Sequence, residues 1–208
     1  MNIIIDLDGT LLDSKLRLYT LFQHLVPDSQ FSYAQYWSLK ESKKSHEYLL
    51  KHHHGYSVKE IELFCNDWMT LIEAPQYLAL DSNFEGIHDA LLRLREQSNL
   101  HLCTERQFRQ PVIDQLARLS LLKYFDEILV TEKSCAKEAL ILTNISSLST
   151  EDWLIGDTGK DIQAAKLLNV NSCAVLTGFL NRESLNGYIP DLIIDSLRDF
   201  TIPSGPKF

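Results

Sequence analysis

Residues 3–11 of this 208-residue chain read IIIDLDGTL. A short apolar run of this kind is typical of a strand buried in a parallel sheet. Asp6 and Asp8 follow the run directly, so two carboxylates are expected at the carboxyl end of the strand, the edge at which open α/β sheets bind ligands. Gly9 helps the backbone to turn there, which lets the two acids take different roles. A turn or capping aspartate is the structural alternative.

A second acidic motif occurs at residues 154–161, which read LIGDTGKD. Asp157 follows an apolar run, and Asp161 lies four residues later, where a helix is expected to begin, so both carboxylates should face one side. Magnesium sites commonly use one or two carboxylates, water and substrate phosphate oxygens. These two acids, with Asp6 and Asp8, would supply such a site if their strands are neighbours. A helix N-cap is the alternative role for Asp161.

Apolar runs alternate with helix-period segments along most of the chain. This alternation predicts an α/β fold built on a doubly wound parallel sheet. Apolar residues at helical spacing predict packing helices over 84–97 and 107–119. Residues 203–206, Pro-Ser-Gly-Pro, are expected to form a frayed end. The predicted strands cover residues 2–6, 99–103, 126–130, 152–156 and 171–176.

The interval from residue 15 to residue 80 breaks this alternation. It lacks a convincing strand and has helix-period runs, which predict a helical insert. The chain therefore divides into a core domain, residues 1–14 and 81–208, and a small α-helical cap domain, residues 15–80. Ser82 and Asn83 are expected to cap the next helix. The amphipathic runs of the insert cover residues 16–26, 33–50 and 57–73.

The composition is that of a globular protein, with 45% hydrophobic and 23% charged residues. A net charge of -8 gives no broad basic surface, so neither nucleic acid nor an anionic membrane is expected as the main partner. No apolar stretch approaches the roughly 20 residues of a membrane span, and we expect a cytoplasmic monomer or homodimer. Cys103 and Cys173 lie in apolar runs and are expected to be buried thiols in a reducing compartment.

The acidic motifs resemble two signatures of the haloacid dehalogenase superfamily. Residues 3–11 look like its first signature, and Gly156-Asp157 with Asp161 resembles its fourth. The helical insert is similar to the small cap of the phosphoglycolate phosphatase and β-phosphoglucomutase branch. The resemblance therefore covers nearly the whole chain.

The second and third signatures have matches between these two. Thr104, at the end of a predicted strand, matches the hydroxyl residue of the second signature. Lys137 lies where the lysine of the third belongs. In this chain Glu138 follows that lysine, where much of the branch has proline, so Lys133 stays a second candidate. The resemblance implies that the Thr104 hydroxyl and the lysine bind phosphoryl oxygens.

The resemblance also implies a mechanism. The family's sheet, in the order 5-4-1-2-3, makes the strands that end at Asp6 and Asp157 neighbours. Asp6 would attack phosphorus to form an aspartyl-phosphate, while Asp8 protonates the leaving alkoxide and later activates water. Mg²⁺ would be held by Asp6, the Asp8 carbonyl and Asp157, with Asp161 binding through water.

Contacts with the rest of the substrate are harder to assign from the sequence. Thr104 is followed by Glu105 and Arg106, where many relatives have asparagine. These two residues and Gly9 are the core candidates for substrate binding. The cap offers further candidates, although aromatic residues at helical spacing more often pack inside a domain. They are Arg17, Tyr19, Tyr36, Trp37 and the lysines near residue 43.

The sequence thus predicts a Mg²⁺-dependent phosphatase acting on a small phosphorylated metabolite, either phosphoglycolate-like or a sugar phosphate. A phosphomutase uses the same acids, and a non-catalytic phosphate-binding or scaffold protein can share the fold, so both stay alternatives. A dehalogenase needs neither a metal nor a general acid, so Asp8 and Asp157 count against it. A phosphonate hydrolase would need a cap lysine for a Schiff base, and Lys40, Lys43 and Lys44 are available.

Overall fold

A computed structural model describes residues 1–203 of the chain, and residues 204–206 of the segment expected to fray lie outside that range. The strands within it are β1 (Asn2–Ile5), β2 (Leu12–Asp13), β3 (Ser82–Asn83), β4 (Asn99–Thr104), β5 (Glu127–Val130), β6 (Trp153–Gly156), β7 (Asn171–Val175) and β8 (Leu192–Ile194). Six of them form a parallel sheet in the order β5-β4-β1-β6-β7-β8.

This sheet confirms the predicted α/β fold with a doubly wound parallel sheet and a helical insert. The five expected strands occur, in the expected spatial order. β8 was not predicted, because a strand of three residues is too short to show a period in the sequence. It pairs with β7 and forms the edge of the sheet.

Helices cover the sheet and fill the insert. Residues 1–203 contain the α-helices α1 (Lys15–Leu25), α2 (Tyr33–Glu41), α3 (His46–His53), α4 (Val58–Leu71), α5 (Pro75–Leu78), α6 (Ile87–Arg95), α7 (Arg109–Arg118), α8 (Lys137–Asn144), α9 (Gly159–Leu168) and α10 (Arg182–Asn186). Short 3₁₀ turns occur at Leu122–Tyr124 and Leu197–Asp199.

The first strand is buried on both faces, which is why its sequence is apolar without alternation. Ile3 and Ile5 pack into the hydrophobic core on one face of the sheet, and Ile4 packs into the core on the other face. β1 lies between β4 and β6. The chain adds β4 and β5 on one side of β1 and then returns to add β6, β7 and β8 on the other side. The carboxyl end of β1 therefore opens at the topological switch point of the fold.

The insert consists of α1–α5, and a two-residue antiparallel ladder joins its ends. Leu12 pairs with Asn83, and Asp13 pairs with Ser82. The prediction that Ser82 and Asn83 cap a helix is therefore wrong: they form β3, and α6 begins after Gly86, whose φ of 76° is left-handed.

The amphipathic run over 33–50 forms two helices, α2 and α3. The chain turns at Lys43, which has a φ of 61°, and Ser45 caps the second helix by accepting from the Tyr48 N–H.

Aromatic residues form the core of the insert and join it to the sheet domain. Phe22, Tyr36 and Phe64 are buried in one cluster. Trp37 of the same cluster stacks on Phe179, which follows β7, with ring centroids 5.7 Å apart. The insert therefore packs directly on the loops at the carboxyl edge of the sheet. Within residues 1–203, no helix combines the length and the apolar character needed to cross a membrane.

Candidate active site

Three carboxylates converge where β1 and β6 end. The two strands are adjacent, and the Asp6 N–H donates to the Ile155 carbonyl at 2.9 Å. One carboxylate oxygen from each of Asp6, Asp157 and Asp161 lies within 4.8 Å of the others, and all three residues are buried. We call these acids, together with Lys137, the metal-side cluster.

Lys137 is the cation of this cluster. It begins α8, and its Nζ donates to Asp6 Oδ1 at 2.5 Å and to Asp161 Oδ1 at 2.6 Å. Burial lowers its pKa, but Asp161 and Asp6 outweigh burial and hold the pKa well above the usual value, so the ammonium is charged. Lys133, the second candidate, is exposed in a turn with a φ of 57°. The geometry therefore brings Lys137 to the acids and leaves Lys133 outside.

The cluster contains more acids than cations, because three carboxyl groups share one ammonium. Asp157 is 1% exposed; its Oδ2 accepts from the Phe179 N–H at 2.8 Å, whereas its Oδ1 is buried and accepts no hydrogen bond from any described residue. Burial, reinforced by Asp6 and Asp161, raises the pKa of Asp157 well above its usual value. A buried carboxylate oxygen without a donor, beside two further acids, fits a divalent cation with oxygen ligands.

The raised pKa of Asp6 also fits a cation bound in this cluster. Burial, reinforced by Asp161, outweighs the effect of Lys137 and raises the pKa of Asp6 to about 7. A nucleophilic carboxylate must be an anion, so a bound cation would favour the reactive form.

The N-cap of α9 is Thr158, so the alternative role of Asp161 as the N-cap is wrong; Asp161 lies at the third position of the helix. Its Oδ2 accepts from the backbone N–H and the hydroxyl of Thr158, at 3.1 and 2.7 Å, which is the reciprocal half of a capping box at the start of α9. Its Oδ1 accepts from Lys137. Both oxygens are thus engaged, and a metal would reach this residue most readily through water.

Asp8 lies in a separate set of charges, which we call the cap-side network: Asp8, Asp81, Arg17 and Arg106. Arg106 donates to both Asp8 oxygens, through Nε to Oδ2 and through Nη2 to Oδ1 at 2.7 Å. Arg17 Nη2 donates to Asp8 Oδ1 at 2.5 Å. Burial alone would raise the pKa of Asp8, but Arg106 and Arg17 outweigh it and hold the pKa below the usual value.

The same network ties the cap to the core. Arg17 belongs to α1 of the insert and is 2% exposed; its Nε lies 3.1 Å from Asp81 Oδ1, and its Nη1 donates to the Ile72 carbonyl. Asp81 also accepts from Gln115 Nε2 at 2.8 Å. The sequence singled out Arg17 only as a possible substrate contact and missed Asp81. An arginine on an amphipathic helix usually faces solvent, and its burial depends on partners far along the chain.

A cavity of about 540 Å³ lies between the cap and the carboxyl edge of the sheet. Thr104 lines it, and its hydroxyl makes no hydrogen bond with another residue of the range 1–203. Glu105 and Lys160 form a salt bridge of 2.6 Å at its edge, where both side chains are exposed. The cap contributes mostly apolar and aromatic residues to the wall: Leu18, Trp68, Met69 and Ile72, with Arg17 and Glu73 as the charged members.

Two sets of predicted substrate contacts lie elsewhere. The Gly9 N–H donates to the Leu12 carbonyl and the Gly9 carbonyl accepts from the Thr177 hydroxyl, so both backbone groups already have partners within the protein. Its φ of 83° and the close approach of Asp157 require a glycine. Tyr36 is fully buried in the cap core and bonds His46, and the Tyr19 hydroxyl donates to the Phe31 carbonyl. These tyrosines support the cap itself.

Residues 3–175 match the haloacid dehalogenase-like hydrolase family. A search of curated proteins gave no significant match. Among solved structures, a haloacid dehalogenase-like family hydrolase from Streptococcus pneumoniae is 21% identical, with a TM-score of 0.77 and 94% of each chain covered. A predicted phosphoglycolate phosphatase from Haemophilus somnus 129pt is 19% identical, with a TM-score of 0.74, 95% of this chain and 94% of that chain covered.

A third similar structure carries a metal. The HAD hydrolase YfnB from Bacillus subtilis, solved with magnesium bound and described as revealing interdomain movement, is 20% identical, with a TM-score of 0.61 and 94% of each chain covered. At these identities the three structures share the fold with this chain.

Proposed function

Because this chain belongs to the haloacid dehalogenase-like hydrolase family, we propose that it is a Mg²⁺-dependent phosphatase that acts through a covalent intermediate on Asp6. The proposal rests on the metal-side cluster, in which Lys137 holds Asp6 beside Asp157 Oδ1, a buried oxygen that accepts no hydrogen bond from residues 1–203. Such a site combines a nucleophile with a place for a cation, which phosphoryl transfer requires.

The metal would be held by the carboxylates of Asp6 and Asp157 and by the Asp8 carbonyl, with Asp161 binding through water. When bound, Mg²⁺ neutralises charge on the transferring phosphoryl group. Lys137 and the Thr104 hydroxyl bind the phosphoryl oxygens from the protein side. Donors of this kind are commonly worth about 3 to 4 kcal/mol each in the transition state.

Two displacements complete the hydrolysis. A carboxylate oxygen of Asp6 attacks phosphorus, and the bond from phosphorus to the leaving alkoxide breaks as that oxygen takes a proton from Asp8. Water then attacks the phosphorus of the aspartyl-phosphate, Asp8 accepts the proton of that water, and inorganic phosphate leaves while the Asp6 carboxylate is restored.

The cap-side network favours the second of these steps. Contact with Arg17 and Arg106 keeps Asp8 an anion, the form that accepts a proton from water. The first step needs Asp8 protonated, which becomes easier when Arg17 moves away. Arg17 lies on α1 of the insert, so we propose that residues 15–80 form a mobile cap over a core of residues 1–14 and 81–208, and that cap movement changes the contacts of Asp8.

The cavity between cap and core suits a small phosphorylated metabolite, either phosphoglycolate-like or a sugar phosphate, because its volume of about 540 Å³ is that of a small-molecule site. Glu105 is paired with Lys160 at the edge, so its part is to hold that lysine near the entrance and not to touch phosphate.

A panel of phosphorylated metabolites and one aryl phosphate, assayed with Mg²⁺, tests the proposal. We expect release of inorganic phosphate by the wild-type chain and loss of release in the Asp157→Asn variant. Transfer of the phosphoryl group to a second position of a sugar, without phosphate release, would show a phosphomutase instead. Tight phosphate binding with no turnover of any ester would show a non-catalytic protein.

A further inference from the structure

The loop after β7 contacts the metal-side cluster and the cap through a single residue. The Phe179 N–H donates to Asp157 Oδ2 at 2.8 Å. The Phe179 ring stacks on Trp37 of α2, with ring centroids 5.7 Å apart and ring planes inclined by 14°. Phe179 therefore joins the cap to an acid proposed as a metal ligand, with its side chain on the cap and its backbone on the acid.

This loop packs closely against Asp157. The Thr177 hydroxyl donates to the Gly9 carbonyl at 2.7 Å, which ties the loop to the turn after β1. Gly178 is buried, and a Cβ at this position would lie 1.9 Å from Asp157 Oδ2. Only a glycine therefore lets the backbone approach the carboxylate so closely. Because the loop backbone and the carboxylate are in contact, a displacement of residues 177–179 would displace the Asp157 side chain as well.

The Phe179 N–H also decides which oxygen of Asp157 is left for a cation. The N–H occupies Oδ2, whereas Oδ1 is buried and accepts no hydrogen bond from residues 1–203. A hydrogen bond behind a ligand fixes the orientation of that ligand, and loss of such a partner commonly lowers metal affinity. The position of this N–H should therefore influence how tightly Asp157 holds a metal.

On the cap side, ring contacts hold Trp37 against the core domain. Trp37 is 4% exposed, and its Nε1 is buried and donates to no residue in the described range. Tyr33 and Tyr36, which also contact its ring, belong to α2 itself. Among residues 1–203, Phe179 is the one hydrophobic residue outside the insert that packs on the cap core. A cap movement that carries Trp37 away would therefore remove the support of the Phe179 ring.

We propose that Phe179 is a positioning residue that couples the position of the cap to the affinity for Mg²⁺. While the ring is stacked on Trp37, the Phe179 N–H stays on Asp157 Oδ2 and leaves Oδ1 for the cation. This inference rests on the metal site of the proposed function. Coupling between two equilibria is reciprocal, so bound Mg²⁺ should in turn favour the stacked position of the cap.

Titration calorimetry with MgCl₂ and no substrate measures the coupling. Phe179→Leu removes the ring and keeps the backbone N–H, so we expect the Kd for Mg²⁺ to rise about three- to tenfold, as the loss of one aromatic contact allows. The matched control is Phe31→Leu, because Phe31 is half-buried against the same cap core and its ring contacts lie within the insert. This control should bind Mg²⁺ like the wild type. An equal Kd in all three proteins would overturn the proposal.

Trp37→Leu distinguishes coupling through the stack from a local effect of Phe179. This cap variant removes the other half of the same contact, so its Kd for Mg²⁺ should rise as well. The double variant should have a Kd no higher than that of the weaker-binding single variant, because both changes break one interaction. An unchanged Kd in Trp37→Leu, or fully additive effects in the double variant, would contradict the coupling.

Hydrogen exchange supplies a measurement that needs no variant. In the wild type, the amides of α2 (Tyr33–Glu41) should exchange more slowly with saturating Mg²⁺ than with chelator, because the bound metal favours the stacked cap. Phe179→Leu should show a smaller difference. Unchanged exchange of α2 in the wild type would overturn the proposal even if the variants do not fold.

The failure of this inference and the failure of the proposed function give different results. Phosphate release from 4-nitrophenyl phosphate, together with an unchanged Kd in Phe179→Leu, would leave the phosphatase standing and remove the coupling. The expected differences in Kd without any phosphate release would support the coupling and remove the phosphatase. No binding of Mg²⁺ to the wild-type chain would remove both.

Discussion

The metal-side cluster and the cap-side network lie next to each other at the carboxyl edge of the sheet, yet they balance their charges differently. In the metal-side cluster three carboxylates share the ammonium of Lys137. In the cap-side network two carboxylates, Asp8 and Asp81, face two guanidinium groups. Buried ions are costly unless they are paired, so the surplus acids of the first set must bind a proton or a further cation, whereas the second set has equal numbers of acids and cations.

The difference in charge balance suits the metal-side cluster and the cap-side network to different tasks. Under the proposed function, the metal-side cluster would bind a metal and a phosphoryl group, because its acids outnumber its cations. The cap-side network includes Arg17 of the cap and Asp81 of the core. It can therefore hold Asp8 in place, and its contacts with Asp8 would change if the cap moved. Under the proposed function, different ion pairs would serve the chemistry and its control.

Metal removal is expected to reduce activity more than any other change. An excess of chelator should abolish hydrolysis of an aryl phosphate, because without a bound cation the charge on the transferring phosphoryl group is not neutralised beside these acids. Mg²⁺ should also raise the midpoint of thermal unfolding, and a concentration 100 times the dissociation constant would add about 2.7 kcal/mol to the free energy of unfolding. Full activity in chelator would contradict the role given to these acids.

Replacement of the cluster's cation should have the next largest effect. Lys137→Ala removes the donor to Asp6 and Asp161, and we expect kcat to fall by about 10²- to 10³-fold on every substrate. Lys133→Ala changes an exposed lysine four residues earlier and serves as the matched control. A crippled control beside an active Lys137→Ala protein would mean that the wrong lysine has been assigned.

In the balanced network, loss of one member should affect stability as well as rate. Arg17→Ala leaves Asp8 and Asp81 with one guanidinium between them, and breaking a buried pair in this way costs about 3 to 5 kcal/mol of unfolding free energy. Activity should fall on all substrates alike, since Arg17 contacts Asp8, which takes part in the reaction of every substrate under the proposed function. Urea unfolding and kinetics on two esters measure both effects, with the exposed Lys51→Ala as control. A cost below 1 kcal/mol would argue against the network.

The smallest effect is expected inside the cap. Tyr36→Phe removes the hydroxyl that lies 2.8 Å from His46 Nε2 and should cost about 1 kcal/mol of unfolding free energy. Substrate preference should not change, because Tyr36 is buried away from the cavity. A changed preference among the metabolites of the panel would mean that the cap core and the cavity are coupled.

The sequence predicted the sheet well because buried parallel strands have a local signature. The apolar runs at Ile3–Ile5 and Leu154–Ile155 each end in aspartate, and both strands were found in the predicted places. Two-residue strands such as β2 and β3 have no such signature, since their pairing is set by partners about 70 residues apart. The division of α2 from α3 depends on the positive φ of Lys43. A lysine does not favour this conformation, so the sequence does not predict it.

For the site, the sequence indicated the residues that carry a motif and missed those that act through tertiary contact. Asp6, Asp157, Asp161 and Lys137 were named and lie together. Nothing local distinguishes Phe179 from the other phenylalanines of the chain, because its contacts with Trp37 and Asp157 exist only in the folded protein. The roles of Asp6, Asp8, Thr104 and the other candidate residues stay predictions until they are measured.

Trapping the covalent intermediate tests most directly whether Asp6 is the nucleophile. Asp8→Asn keeps the nucleophile but loses the base, so brief exposure to 4-nitrophenyl phosphate should leave the protein stalled with a phosphoryl adduct. Intact mass spectrometry should show that adduct, hydroxylamine should remove it, and Asp6→Asn treated in the same way should lack it. An equally abundant, hydroxylamine-sensitive adduct on the Asp6→Asn protein would contradict the account and place the nucleophile elsewhere.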